Sequence, residues 1–135
     1  MFSRHLDRIS RRNEWSLLSL AAHPGATRTN LQSSGPTLGK GHSGAPIGLR
    51  LAEKIPGVWQ EVSQGVLPAV YAATSPLAAG GGYYGPGGFG EFRGLPDDAR
   101  FPRRALRDDV CARLWRVSEE LTGVQVPPAV EISGY

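Results

Sequence analysis

Between Trp15 and Ala22 the chain runs WSLLSLAA and then stops at His23, Pro24 and Gly25. An apolar run of this length, bounded by turn residues, reads as a buried strand. It lacks the polar–apolar alternation of a half-exposed strand, which points to a parallel strand covered on both faces. Such a strand needs parallel neighbours. One other strand is legible, around Gly82 to Tyr84, and two strands do not make a stable sheet. The reading is therefore an α/β fold that is incomplete within these 135 residues.

The remaining segments support that class. Phe2, Leu6 and Ile9 have helical spacing, with Arg and Asp on the other side, as in the tail of an amphipathic helix. A second helix is expected from Val58 to Ala73. On it Val62, Val66, Val70 and Ala73 share one face, with Leu67 and Tyr71 beside it. Pro68 should kink this helix, and Gly65 should permit close approach of another element. The clearest helix is Asp108 to Thr122, where Leu106, Val110, Leu114, Val117 and Leu121 recur at helical spacing. Asp108 and Asp109 suit its positive end, and Gly123 stands where a C-terminal cap belongs. Leu49 to Lys54 reads as one helical turn.

The 18 Gly and 11 Pro cluster between these elements and build no core. Residues 32–57 read as a long loop, GlyProGlyGlyPheGly from Gly85 to Gly90 as a second, and 125–135 as an extended tail.

The net charge is +3, and most of the basic excess sits in two places, Arg4, Arg8, Arg11 and Arg12 and then Arg100, Arg103, Arg104 and Arg107. Neighbouring acids dilute both groups, and no nucleic-acid motif accompanies them, so no nucleic-acid partner is expected. The single Cys111 allows no internal disulfide, and its place on the apolar side of a helix makes it a core residue. His5 and His42 have no companions at metal spacing, so no metal site is assigned. Nothing approaches a membrane span, and the start lacks the apolar stretch of a secretory signal, so a cytoplasmic location is expected.

Four segments in order resemble the short-chain dehydrogenase/reductase family. They are most similar to its retinol-dehydrogenase-like and bacterial oxidoreductase branch. The first is residues 18–31, with Pro24, Gly25 and Thr29 in the family's pattern of a strand, Pro-Gly, three residues and Thr. The second is residues 64–74, resembling the helix after the substrate loop. The third is residues 81–94, resembling the last strand and following loop, and the fourth is the helix ending LeuTrpArgValSerGluGluLeuThrGly. The resemblance implies that residues 1–124 form the C-terminal portion of a doubly wound, Rossmann-type parallel sheet, and that 32–57 cover substrate. It implies NAD or NADP as cofactor, and a small alcohol or carbonyl as substrate. Cofactor contact is expected from Pro24, Gly25, the backbone of Ala26 and Thr27, and the Thr29 hydroxyl. His23 is expected to end the strand and pack structurally.

The family's Gly-rich nucleotide turn and its Tyr-x-x-x-Lys pair are absent from these residues: the positions four after Tyr71, Tyr83 and Tyr84 are Ser75, Gly87 and Gly88. No catalytic residue is therefore assigned. The expected function is a truncated oxidoreductase, inactive alone, with residues 1–12 as the end of the helix that bears Tyr and Lys in the family. The alternative is a non-catalytic module that pairs with a full-length relative or a second copy through its open strand edge.

Overall fold

The computed structural model describes residues 1–29 and 57–126. Its elements in chain order are α1 (Phe2–Arg12), β1 (Ala21–Ala22), α2 (Val62–Gly65), α3 (Leu67–Thr74), β2 (Tyr83–Pro86), β3 (Pro96–Asp98) and α4 (Asp108–Thr122). Short 3-10 turns occupy Phe89–Glu91 and Arg103–Leu106. The chain divides into two compact units. The expected turn at Leu49–Lys54 and nearly all of the 32–57 loop lie outside the described residues, as does the tail from 127.

One unit comprises Met1–Leu20, Ala79–Gly82 and the chain from Arg100. Here α1 packs on α4. Phe2 stacks on Trp115 with ring centroids 4.4 Å apart, and the Arg4 guanidinium lies 5.3 Å from the centre of the Phe101 ring. Arg8 reaches Asp108 in an ion pair, and Arg4 donates to the Ala105 carbonyl at 3.3 Å. Asp7 is buried on the same helix, with Arg11 Nε donating to it at 2.8 Å. The Asp7 carboxylate explains part of the Gly80–Gly82 run: a methyl group on Gly80 would collide with its Oδ1. Helix α4 spans the expected residues, with Asp108 and Asp109 in its first turn. Gly123 caps it at φ +69°, a left-handed conformation that glycine adopts without cost. Cys111 is fully buried, as expected, with its thiol directed to the Ala105 carbonyl. The expected apolar stripe behaves differently. Cys111 is its buried neighbour, while Leu114, Val117 and Leu121 are exposed.

The other unit comprises Ala21–Ala78 and Tyr83–Ala99, of which 21–29 and 57–99 are described. Its sheet has three strands in the order β1–β2–β3, with β1 parallel to β2 and β3 antiparallel. Ala21 pairs with Tyr83 and Ala22 with Tyr84; Tyr84 faces Asp98. This is a mixed α/β arrangement with a small open sheet. Three expectations need correction. The first strand is Ala21–Ala22 only; Trp15–Leu20 approach it without strand pairing, because the partner β2 is itself short. A third strand, β3, exists, and Gly85 and Pro86 belong to β2 rather than to a loop. The helix expected from Val58 begins at Val62 and is divided at Val66, so that Pro68 falls in the first turn of α3, where its missing N–H costs little.

The division also decides which side of the helix is packed. Gly65 and Pro68 are buried and Tyr71 meets the buried Tyr84 edge-on at 5.3 Å, whereas Val62, Val66 and Val70 are exposed. Gly65 does serve close approach, as its lack of a side chain suggests: the Thr27 side chain sits where a Cβ would be.

Candidate functional site

The turn at the carboxyl end of β1 carries every expected site residue: Pro24, Gly25, Ala26, Thr27 and Thr29. Two other segments of the same unit, Val58–Gln60 and Gly87–Gly94, close around it. Gly25 has φ +64°, and a Cβ there would stand 2.5 Å from the Phe92 carbonyl oxygen and 2.7 Å from the Pro86 ring. Glycine is required twice over, by backbone conformation and by space.

Hydrogen bonds account for the whole turn. Ala26 N–H donates to the Phe92 carbonyl at 2.7 Å, Thr27 N–H to Gly25 at 3.1 Å and Arg28 N–H to Gln60 at 3.0 Å. Gly25 N–H donates to His23 Nδ1 at 3.3 Å. The Thr27 hydroxyl donates to the Pro24 carbonyl at 2.7 Å. The same carbonyl accepts from the Gln60 side-chain amide at 2.7 Å, while Gln60 Oε1 accepts from Gly94 N–H at 3.2 Å. Gln60, only 3% exposed, thus ties all three segments together. Sequence reasoning missed it, because an isolated Gln ahead of a helix carries no motif.

A cluster of ionisable groups lies beside the turn. The His23 ring sits over Gly85, where any side chain would displace it, and tilts against the Tyr83 ring at 5.2 Å. Because Nδ1 accepts from Gly25, the ring proton of neutral His23 belongs on Nε2. That nitrogen is 3.2 Å from Glu91 Oε2, close enough for electrostatic attraction but bent away from the line of a good hydrogen bond. Glu91 has φ +58°, directly after Gly90 at φ +63°. Burial, and secondarily the Glu91 carboxylate, raises the Tyr83 hydroxyl above the usual tyrosine pKa. His23 is thus packed among Gly25, Tyr83, Gly85 and Glu91 at the end of β1.

The residues expected to contact a cofactor differ in exposure and in hydrogen bonding. Thr29 and Pro24 are exposed, Gly25 and Ala26 are partly covered, and Thr27 is buried against Gly65. Every N–H from Gly25 to Arg28 is engaged within the chain. The backbone donors along this stretch are thus committed to the fold, and Pro24 and Thr29 are the members of the set that face solvent. Among the described residues no cluster of His, Cys, Asp and Glu forms a metal site, and no helix is long and apolar enough to cross a membrane.

The helix-pair unit contains a cleft of about 490 Å³, walled by Phe2, Leu6, Trp15, Trp115 and Val126 among others. None of the expected site residues reaches it.

No protein-family model matches the sequence, and no curated protein matches it. The chain is similar to a solved crystal structure of an uncharacterized protein from Mycobacterium paratuberculosis, with 28% identity and a TM-score of 0.62. The match covers 94% of this chain and 36% of that one, so the chain spans little more than a third of the length of the protein it resembles.

Proposed function

We propose that the chain is the C-terminal portion of a short-chain dehydrogenase/reductase whose complete form interconverts an alcohol and a carbonyl with NAD or NADP. The observation that carries this reading is the β1–α2–α3–β2 connection. Two strands pair in parallel, the intervening chain contains a helix on the sheet, and the Pro24–Gly25 turn stands at the carboxyl end of β1. In doubly wound sheets ligands bind outside the carboxyl ends of the strands. The parent sheet in this proposal is of the Rossmann type, and β1 is one of its interior strands. The match to about a third of a longer protein is in keeping with a partial domain.

The proton transfer that accompanies hydride transfer needs an acid or base at the reacting oxygen. The Tyr-x-x-x-Lys pair that does this in the family is not among these residues. The 135-residue chain is accordingly expected to show no turnover. The test is an assay of the purified chain with NAD or NADP and a panel of alcohols and ketones; measurable nucleotide reduction or oxidation would sink the proposal of an inactive portion.

A second reading is favoured by one feature, the outer edge of β1, which pairs with no strand among the described residues. An open edge is a template for another strand. In this reading the chain is a non-catalytic module that docks on a second copy or a full-length relative. Sedimentation of the purified chain separates the two: a folded monomer at micromolar concentration removes self-pairing.

A further inference from the structure

The cleft of the helix-pair unit is held in shape by the chain itself. Gly123, at φ +69°, turns the chain back after α4, and Val126 N–H then donates to Glu119 Oε1 at 3.4 Å, so that Val124–Val126 form part of the wall. The Trp115 ring is fixed at three points. Its Nε1–H donates to the same Glu119 oxygen at 2.9 Å, Phe2 stacks on it, and the His5 ring lies 5.4 Å from its centre. A volume of about 490 Å³ falls in the range of small-molecule sites, which are mostly apolar with a few placed polar groups. The polar side chains here differ in what they have left to offer. The Ser118 hydroxyl donates to the Leu114 carbonyl at 2.8 Å and the Thr122 hydroxyl to the Ser118 carbonyl at 2.7 Å, so both donors are spent on the helix. Glu119 is the ionisable side chain of the wall, and it is only partly exposed. Its hydrogen bonds fall on Oε1, and Oε2 has neither a hydrogen bond nor an ion pair among the described residues. His5 does not supply a counter-charge, because burial and the Arg8 and Arg12 charges keep it neutral at neutral pH. Arg8 is itself engaged by Asp108.

We propose that this cleft binds an organic monocation with an aromatic or branched apolar body, whose ammonium group pairs with Glu119 while the body lies among Phe2, Leu6, Trp15 and Trp115. A carboxylate beside apolar walls is poorly screened, so it attracts a cation more strongly than a carboxylate in open water does. The aromatic rings attract the same charge and offer apolar area to the rest of the ligand. A neutral ligand of the same shape forgoes the ion pair, and an anionic one is repelled. The cleft belongs to the helix-pair unit, so the site stands apart from the dehydrogenase reading.

Phenylbutylamine, phenylbutanol and phenylbutyrate share one body and differ in charge. Each is titrated into the full chain and followed by NMR at the indole N–H signals. The amine is expected to shift Trp15 and Trp115, which line the cleft, and to leave Trp59, in the other unit, in place. Its dissociation constant should lie about tenfold or more below that of the alcohol, as one charge-assisted hydrogen bond provides. Phenylbutyrate should bind more weakly than either. Glu119→Gln keeps a side-chain oxygen for Trp115 and Val126 but removes the charge. It should bring the amine to within about twofold of the alcohol and leave the alcohol's own affinity unchanged. In the unaltered chain, equal affinity for amine and alcohol, shifts as large at Trp59 as at Trp115, or no shift at all would each overturn the site. An amine preference that survives Glu119→Gln would overturn the role given to the carboxylate.

Discussion

The Pro24–Arg28 turn and the α1–α4 helix pair are held together by different physics. The turn is a polar assembly: the Pro24 carbonyl accepts twice, Gln60 bridges to Gly94, and glycines at 25 and 65 leave no spare volume. The helix pair is joined by side chains that reach, through the Phe2–Trp115 stack, Arg8 on Asp108 and Arg4 on the Ala105 carbonyl, around an apolar cleft. The lesson is one of tolerance. A hydrogen-bonded turn at close backbone range fails abruptly when one atom is added, whereas a contact between long side chains loses stability by degrees.

Substitutions can break or sharpen that contrast. Gly25→Ala is expected to be the most damaging, at about 3 kcal/mol or more by urea unfolding, because strain at φ +64° adds to overlap with the Phe92 carbonyl. Gln60→Leu should cost about 2 kcal/mol, since it leaves Gly94 N–H without its acceptor and takes one donor from Pro24. Phe2→Ala, in the helix pair, should cost about 1 kcal/mol, because that ring is already 45% exposed. A Phe2→Ala loss as large as that of Gly25→Ala would erase the distinction between the two regions.

A still smaller effect depends on pH. His5 lies against Trp115, and burial first, then the Arg8 and Arg12 charges, hold its pKa below the ordinary histidine value of 6.5. The unfolded chain therefore binds the proton more readily. The stability tied to neutral His5 is complete above pH 6.5 and is lost as pH falls through the lower folded-state value. His5→Leu should flatten the decline in melting temperature below that pH; an unaltered pH profile would remove His5 as its source. Arg107→Ala should change nothing measurable, because its pair with Asp109 is solvent-exposed.

How much of this was legible in the sequence varied with how local the causes were. Helix α4 was readable to its ends because periodicity, paired acids and a capping glycine all act within the segment. The parallel pairing was readable from the apolar run and its HisProGly stop. Strand β3 was not, since Pro96–Asp97–Asp98 is poor in strand-forming residues and is a strand only because β2 offers it an edge. The valine stripe of α2 and α3 looked like the face for packing, yet the small Gly65 and the flat Pro68 face the covered side. For the site, sequence reading found the turn and the need for Gly25. It could not see that Gln60 and Glu91–Phe92 fold back over the turn, because those contacts span more than thirty positions along the chain.

Cys111 is the chain's single thiol, and it is completely buried beside the Ala105 carbonyl. A thiol reagent attacks the thiolate, and it needs access to the sulfur. The molecule therefore carries its own stopwatch: the rate at which Cys111 is labelled counts how often its surroundings in α4 part, one sulfur at a time, with no competing signal from elsewhere in the chain.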